Sequence, residues 1–226
     1  KSTDGINWTK IELYHPIDED NNIHNLAVVP MDLELDNENR LWASSTISPR
    51  YSLIGGQWGD DPPKGGGKIY RLNEEGNSAT FINSIKVDRS TQTGNVTMQG
   101  RRTEMTFTAD NQLIVLCIAP QADGGYWRVV PKLFKGSIEN WISGNFSELK
   151  KPSDADDGIE DYDFARGQGY YSVSLAAHPT NKNKVYVGGI NLFSSNQGGE
   201  DWGQITHSRG RYAQYIHADQ HSIIFN

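Results

Sequence analysis

Near the end of the sequence, His217-Ala-Asp219-Gln-His221 sets two imidazoles and a carboxylate at alternate positions. On a strand, residues i, i+2 and i+4 point to one side. The three would then converge as ligands for a divalent metal such as zinc, or would orient a catalytic carboxylate. The same run also reads as a hydrogen-bonded polar cluster at the entry of an inner strand. A second set is carboxylic. Asp32 and Glu104 each stand just before the first apolar residue of a strand-like run. Paired carboxylates can serve as general acid and as base or nucleophile in glycoside hydrolysis. Trp58 and Trp127 sit in the Gly-rich runs Gly55-Gly-Gln-Trp58-Gly and Asp123-Gly-Gly-Tyr126-Trp127, where exposed rings would stack on sugars. The stretch 154–163 gathers Asp154, Asp156, Asp157, Glu160, Asp161 and Asp163. Such oxygens can bind Ca²⁺. The spacing is not that of an Asp-x-Asp-x-Asp-Gly calcium loop, and a solvated, self-repelling loop is the competing reading.

The elements that must position these groups read as strands. Short alternating apolar runs recur, bounded by Gly, Asn, Asp and Pro: 33–35, 40–43, 68–72, 105–107, 113–118, 173–175 and 185–187. The nearest helical stretch, 134–146, is interrupted by Gly136 and Gly144. Several runs repeat as strand, polar turn, strand. Asp32 to Trp42 can be laid on Glu104 to Ile114, so that Leu33 matches Met105, Leu35 matches Phe107, Asn39 matches Asn111 and Leu41 matches Leu113. A third copy runs from Ser172 to Val187, and a fourth opens at Ser222-Ile-Ile-Phe225. A repeat of roughly 40 to 50 residues with four strands, of which each such hairpin would be a part, is the signature of a propeller blade, with a β-sandwich as the alternative. The expected class is all-β: a β-propeller of four-stranded antiparallel blades. The reading places a blade end at 1–15, blades at about 23–100, 101–165 and 166–210, and the start of another at 211–226. About three blades fall short of the roughly four to eight of a closed propeller. The expectation is therefore a piece of a larger propeller whose remaining blades are its partners.

Two segments carry a family resemblance. Ser2-Thr-Asp4-Gly5-Ile-Asn-Trp8 resembles the Asp-box of bacterial-neuraminidase-type (BNR) repeats, shortened before its Trp. Ser194-Ser-Asn196-Gln-Gly198-Gly-Glu-Asp-Trp202 is similar to a second copy, with Asn196 in place of Asp. An Asp or Asn side chain can accept backbone N–H bonds inside such a turn, and Gly supplies positive φ. The context 167–226 is similar to secreted propellers of the Bacteroidetes glycosyl-hydrolase or sortilin-like type. The resemblance implies that the turn joins the third and fourth strands of a blade, away from the active face, with its Trp packed between sheets. It also implies a secreted or cell-surface location. A sialidase in that group would grip a substrate carboxylate with an arginine triad. Arg101, Arg102, Arg166 and Arg211 stand near presumed strand starts, as does Tyr171, which makes Arg102 and Tyr171 candidate ligand contacts. No sialidase motif beyond the Asp-box is matched, so that catalytic set is not carried over.

Composition narrows the partners. The 226 residues hold 21 Lys and Arg against 28 Asp and Glu, for a net charge of −7. That balance disfavours nucleic acid, whose binders present a basic face. A single cysteine, Cys117, excludes an internal disulfide framework and any multi-cysteine zinc site. No apolar run approaches the roughly 20 residues of a membrane helix, so no helical insertion into a membrane is expected. The expected function is a carbohydrate- or glycoconjugate-binding or adhesion module. The alternative is a sialidase- or xyloglucanase-like glycoside hydrolase acting through Asp32 and Glu104. A divalent metal at His217, Asp219 and His221 is the one cofactor the sequence suggests.

Overall fold

The computed structural model describes residues 1–11, 13, 28–46, 66–91, 94–123, 126–154, 156 and 163–225. The chain divides into two compact units, Lys1–Thr103 and Glu104–Asn226. In the first, β1 (Val29–Leu35), β2 (Leu41–Thr46), β3 (Lys68–Leu72) and β4 (Ala79–Ser84) form an antiparallel sheet in sequence order. Leu33 pairs with Ala43, Ala43 with Tyr70, and Tyr70 with Phe81. Cross-strand partners share a face, so these residues form one apolar surface. Ile11, Leu13 and Val28 pack against its Ala43, Tyr70 and Leu72. On the opposite face Trp42 is fully buried, with the Arg71 guanidinium 5.8 Å from its ring. A hairpin, β5 (Lys86–Thr91) and β6 (Gly94–Gln99), follows.

The second unit holds two more four-stranded antiparallel sheets. One contains β7 (Thr103–Phe107), β8 (Leu113–Asp123), β9 (Tyr126–Gly136) and β10 (Ser147–Glu148). The other contains β11 (Ser174–Ala177), β12 (Val185–Gly188), β13 (Leu192–Ser195) and β14 (Gly203–Gln204). A short parallel pair, β15 (Thr206–His207) and β16 (Gln214–Tyr215), comes last. From Leu113 to Ala119 every residue of β8 is buried, as its unbroken apolar run requires of a strand covered on both faces. Its Ile114, Leu116 and Ile118 pack with Leu133 against Leu175, Val185, Val187 and Phe193 of the next sheet and Val173 just before it. Between Gly136 and Gly144 lies a six-residue helix, α1 (Ile138–Ser143). Ser137 caps its start by accepting the Asn140 N–H, and Gly144 ends it at φ 79°. Among the described residues no helix is long and apolar enough to cross a membrane.

Three four-stranded meanders in succession are the blade units of a partial β-propeller. The repeat read from sequence is visible in backbone geometry. In the first sheet Asp36 N–H donates to Arg40 O at 3.1 Å and Asn39 N–H to Asp36 O at 2.9 Å. The second repeats this with Thr108 to Gln112 O at 2.9 Å and Asn111 to Thr108 O at 2.8 Å. Asn39 and Asn111 sit at φ 60° and 63°, a left-handed position that Asn tolerates better than most residues. The fourth copy differs. Residues 221–225 join no strand, and the Phe225 ring instead packs 5.6 Å from that of Tyr186 and 5.2 Å from that of His178.

Candidate functional site

The two Asp-box-like turns are built by side chains taking over backbone bonding. In the first, Asp4 Oδ1 accepts the N–H groups of Ile6 and Asn7 at 2.9 and 2.8 Å, and Oδ2 accepts the Asn7 amide at 2.8 Å. Ser2 Oγ accepts Gly5 N–H at 2.8 Å, and Gly5 lies at φ 71°. The backbone N–H of Asn7 and then of Ile6 hold the Asp4 carboxyl far below the usual range, although it is fully exposed. Its bonds are all within the turn, so its role is structural. Trp8 differs from the packing expected of it: the residue is 73% exposed.

The second turn joins β13 to β14, the third and fourth strands of its sheet. Its register is one residue later than the sequence suggested. The organising hydroxyl is buried Ser195, not Ser194: Ser195 Oγ accepts Gln197 N–H at 3.1 Å and Gly199 N–H at 2.8 Å. Ser194 lies on the strand opposite Tyr186 and Gly203, and Asn196 is exposed. A single shift flips every strand side chain to the other face, which is why the distinction matters. The carboxylate comes from Asp201, which accepts Gln197 Nε2 at 3.1 Å. Gly198 and Gly199 have φ 66° and 99°. Trp202 packs against the apolar cluster of this unit and donates its indole N–H to Lys150 O at 2.9 Å.

Asp154 and Asp156, from the acidic stretch, enter a charge network. Arg166 Nη2 donates to both Asp154 oxygens at 2.8 Å and to Asp156 Oδ2 at 2.8 Å, while its Nε reaches Asp154 Oδ2 at 3.0 Å. Asn191 Nδ2 adds a bond to Asp154 at 3.1 Å. His207, fully buried, closes the set through Nε2, 3.0 Å from Asp156 Oδ1. Its Nδ1 accepts the N–H groups of Arg209 and Arg211 at 3.0 and 3.3 Å, which places the ring proton on Nε2. The His207 bond first, and the Arg166 charge after it, hold the Asp156 carboxyl below its ordinary value. Burial would lower the Arg166 pKa, but its bonds to Asp154 and Asp156 raise it. Arg166 is thus committed to ion pairs and cannot grip a substrate carboxylate. Burial pushes Asp163 up despite the N–H of Gly167 at 2.6 Å. The rest of the acidic run, 155 and 157–162, lies outside the described residues, and so does its calcium reading.

Exposed tyrosines follow Arg166 and His207 in the sequence. Tyr170, Tyr171, Tyr212 and Tyr215 are all exposed. Tyr212 meets the His207 ring edge-on at 5.2 Å, and Tyr171 meets His221 likewise at 4.6 Å. The segment 217–221 is tied to the end of β12, where Gln220 N–H donates to Gly189 O at 2.9 Å. The hydroxyls of Ser172 and Ser174 are buried and have no hydrogen-bond partner among the described residues; Asp219 Oδ1 is in the same state. Sequence reading placed Ser172 in the slot of Asp32 and Glu104. It had no signal for Ser174, Tyr170, Tyr212, Tyr215 or His207, because only tertiary contact gathers them.

The metal cluster does not form. Asp219 lies at φ 74°, off the strand conformation that the i, i+2, i+4 argument needs. His217 Nδ1 stands 3.2 Å from Ala218 O and His221 turns to Tyr171. Among the described residues no group of three His, Cys, Asp or Glu side chains is gathered as a metal site requires. Asp32 lies on β1, where its Oδ1 accepts Leu33 N–H at 2.8 Å, and Glu104 lies on β7 in the other compact unit. Arg102 is half-buried just before β7. Trp127 is not in a loop: its backbone is the second residue of β9, opposite Ala122. Trp58 falls outside the described residues.

No protein-family model matches the chain, and no curated protein matches it. Several solved structures resemble it at low identity. YCF48 bound to D1 peptide matches with 17% identity over 76% of this chain and 38% of the other, at a TM-score of 0.37. The GH74 enzyme of Niastella koreensis matches with 13% identity over 76% and 21%, at a TM-score of 0.37. The α-L-arabinanase of Penicillium chrysogenum, complexed with arabinobiose, matches with 11% identity over 81% and 66%, at a TM-score of 0.36. The chain thus spans less than two thirds of the length of each of these proteins.

Proposed function

We propose that this chain is part of a secreted or cell-surface Asp-box propeller whose role is to bind a carbohydrate or glycoconjugate. One observation carries the reading: four exposed tyrosines, Tyr170, Tyr171, Tyr212 and Tyr215, border the segments before β11 and after β14. Flat amphipathic rings held at a surface are suited to the C–H faces of sugars. Electrophoresis of the chain through native gels containing mannan, arabinan or xyloglucan tests it. Retarded migration in at least one gel is expected, and unaltered migration in all three counts against the reading.

Hydrolysis is the second reading, favoured by the matched turns that set Asp32 and Glu104 at equivalent places in two hairpins. Reducing-sugar release from those polysaccharides, abolished by Asp32→Asn or Glu104→Gln, is its expected result. Unequal burial of repeat positions supports further blades as partners. Leu33 and Leu35 are 60% and 55% exposed, whereas their repeat equivalents Val173 and Leu175 are buried against the preceding sheet.

A further inference from the structure

We infer that the end of the third sheet holds a subsite for one ring of a neutral glycan, seated against Tyr171 and hydrogen-bonded to Asp219. The inference rests on the carbohydrate reading and names the residues that would perform it. Three oxygens mark the place: Ser172 Oγ, Ser174 Oγ and Asp219 Oδ1 are buried and without partners among the described residues. More than about nine in ten buried polar groups in native proteins are paired, so three orphans around one strand need an explanation. Ser174 and Asp219 share one locality, and Ser172 lies two residues before β11 opens at Ser174. Ser174 pairs with Gly188 across the ladder, and a Cβ on Gly188 would strike both Ser174 Oγ and the Gln220 side chain. Gln220 is bonded to Gly189 O, which puts its neighbour Asp219 over the same strand end.

The backbone supports a poised contact. Asp219 holds φ 74°, a conformation that costs a non-glycine residue energy and persists where surroundings enforce it. Residues 217–221 join no sheet. Their ties to the sheet and to the turn before it include the Gln220 bond and the edge contact of His221 with Tyr171. A modest displacement of this segment would uncover the orphan oxygens beside the exposed Tyr171 ring. A sugar matches that set. Its hydroxyls donate to the carboxylate and exchange bonds with the serine hydroxyls, while its apolar face lies on tyrosine. The Asp219 carboxylate favours a neutral ring over an anionic one.

The test uses the whole chain in native gels containing mannan, arabinan or xyloglucan, with Tyr171→Ala, Asp219→Gly and, as a control, the exposed turn variant Glu200→Gln. Asp219→Gly keeps the positive φ while removing the carboxylate. Melting temperatures verify that each variant is folded. Affinity for the retarding polysaccharide is expected to fall about tenfold in the Tyr171 and Asp219 variants and to hold in the control. Wild-type retardation that survives both substitutions overturns the subsite and leaves the carbohydrate reading intact. Absence of wild-type retardation in every gel overturns both. Tyr171-dependent binding to a peptide library, with no polysaccharide bound, overturns the subsite in favour of a protein-binding surface.

Discussion

Two aspartates show how position in a turn sets the work of a carboxylate. Asp4 collects N–H donors while fully exposed. Asp36 does so with its side chain buried, in the turn between β1 and β2. Its Oδ1 accepts Glu38 and Arg40 N–H at 2.9 Å each, and its Oδ2 accepts Arg40 Nε at 2.6 Å and the Trp42 indole at 2.9 Å. Burial would raise its pKa, but the Trp42 and Arg40 donors outweigh burial and lower it. A depressed carboxyl stabilises the fold above its ordinary value of 3.8, and the contribution is lost as pH falls through the lower folded value. Asp36→Ala strands the buried Trp42 N–H and should cost about 1–3 kcal/mol in urea unfolding at neutral pH. It should also flatten the acid limb of the stability–pH curve. An unchanged limb would show that another carboxylate dominates it.

At the scale of elements, the β13–β14 turn separates two registers. If Ser195 organises it, Ser195→Ala loses two accepted N–H bonds and should destabilise by about 1–2 kcal/mol. Ser194→Ala, on a half-buried ladder position, should stay within about 0.5 kcal/mol. Thermal melts of the two variants decide between them; equal losses would restore the earlier register. The sequence marked this turn through Gly198, Gly199 and Trp202, yet misjudged which serine faces inward. Adjacent serines are indistinguishable by composition, and only the strand pairing of β12 with β13 fixes their faces. Asn39 and Asn111 were legible, because a polar residue able to adopt positive φ between two apolar runs has few other places to be.

For the whole molecule, the unequal burial of equivalent residues separates a finished core from an open face. Leu116, fully buried among Ile114, Leu133 and Val187, should cost about 2–5 kcal/mol when replaced by Ala. Leu33→Ala should cost less than about 0.5 kcal/mol in this chain, since its side chain is already largely in water. Denaturant unfolding of the two variants measures the contrast. A large loss from Leu33→Ala would mean that its face is covered in solution.

By itself the sequence determined the strand-rich class, the recurring hairpins and the left-handed turn positions, because periodicity and turn chemistry act over a few residues. Its site readings fared differently. His217, Asp219 and His221 alternate in sequence, but Asp219 leaves the strand conformation and the convergence is lost. Asp154 and Asp156 looked like a solvated run, yet Arg166 pairs with both and His207 hydrogen-bonds Asp156. Tertiary structure alone decided these pairings, and which tyrosines stay exposed. Burial and ion pairing depend on which distant segments meet, and local spacing carries no record of that.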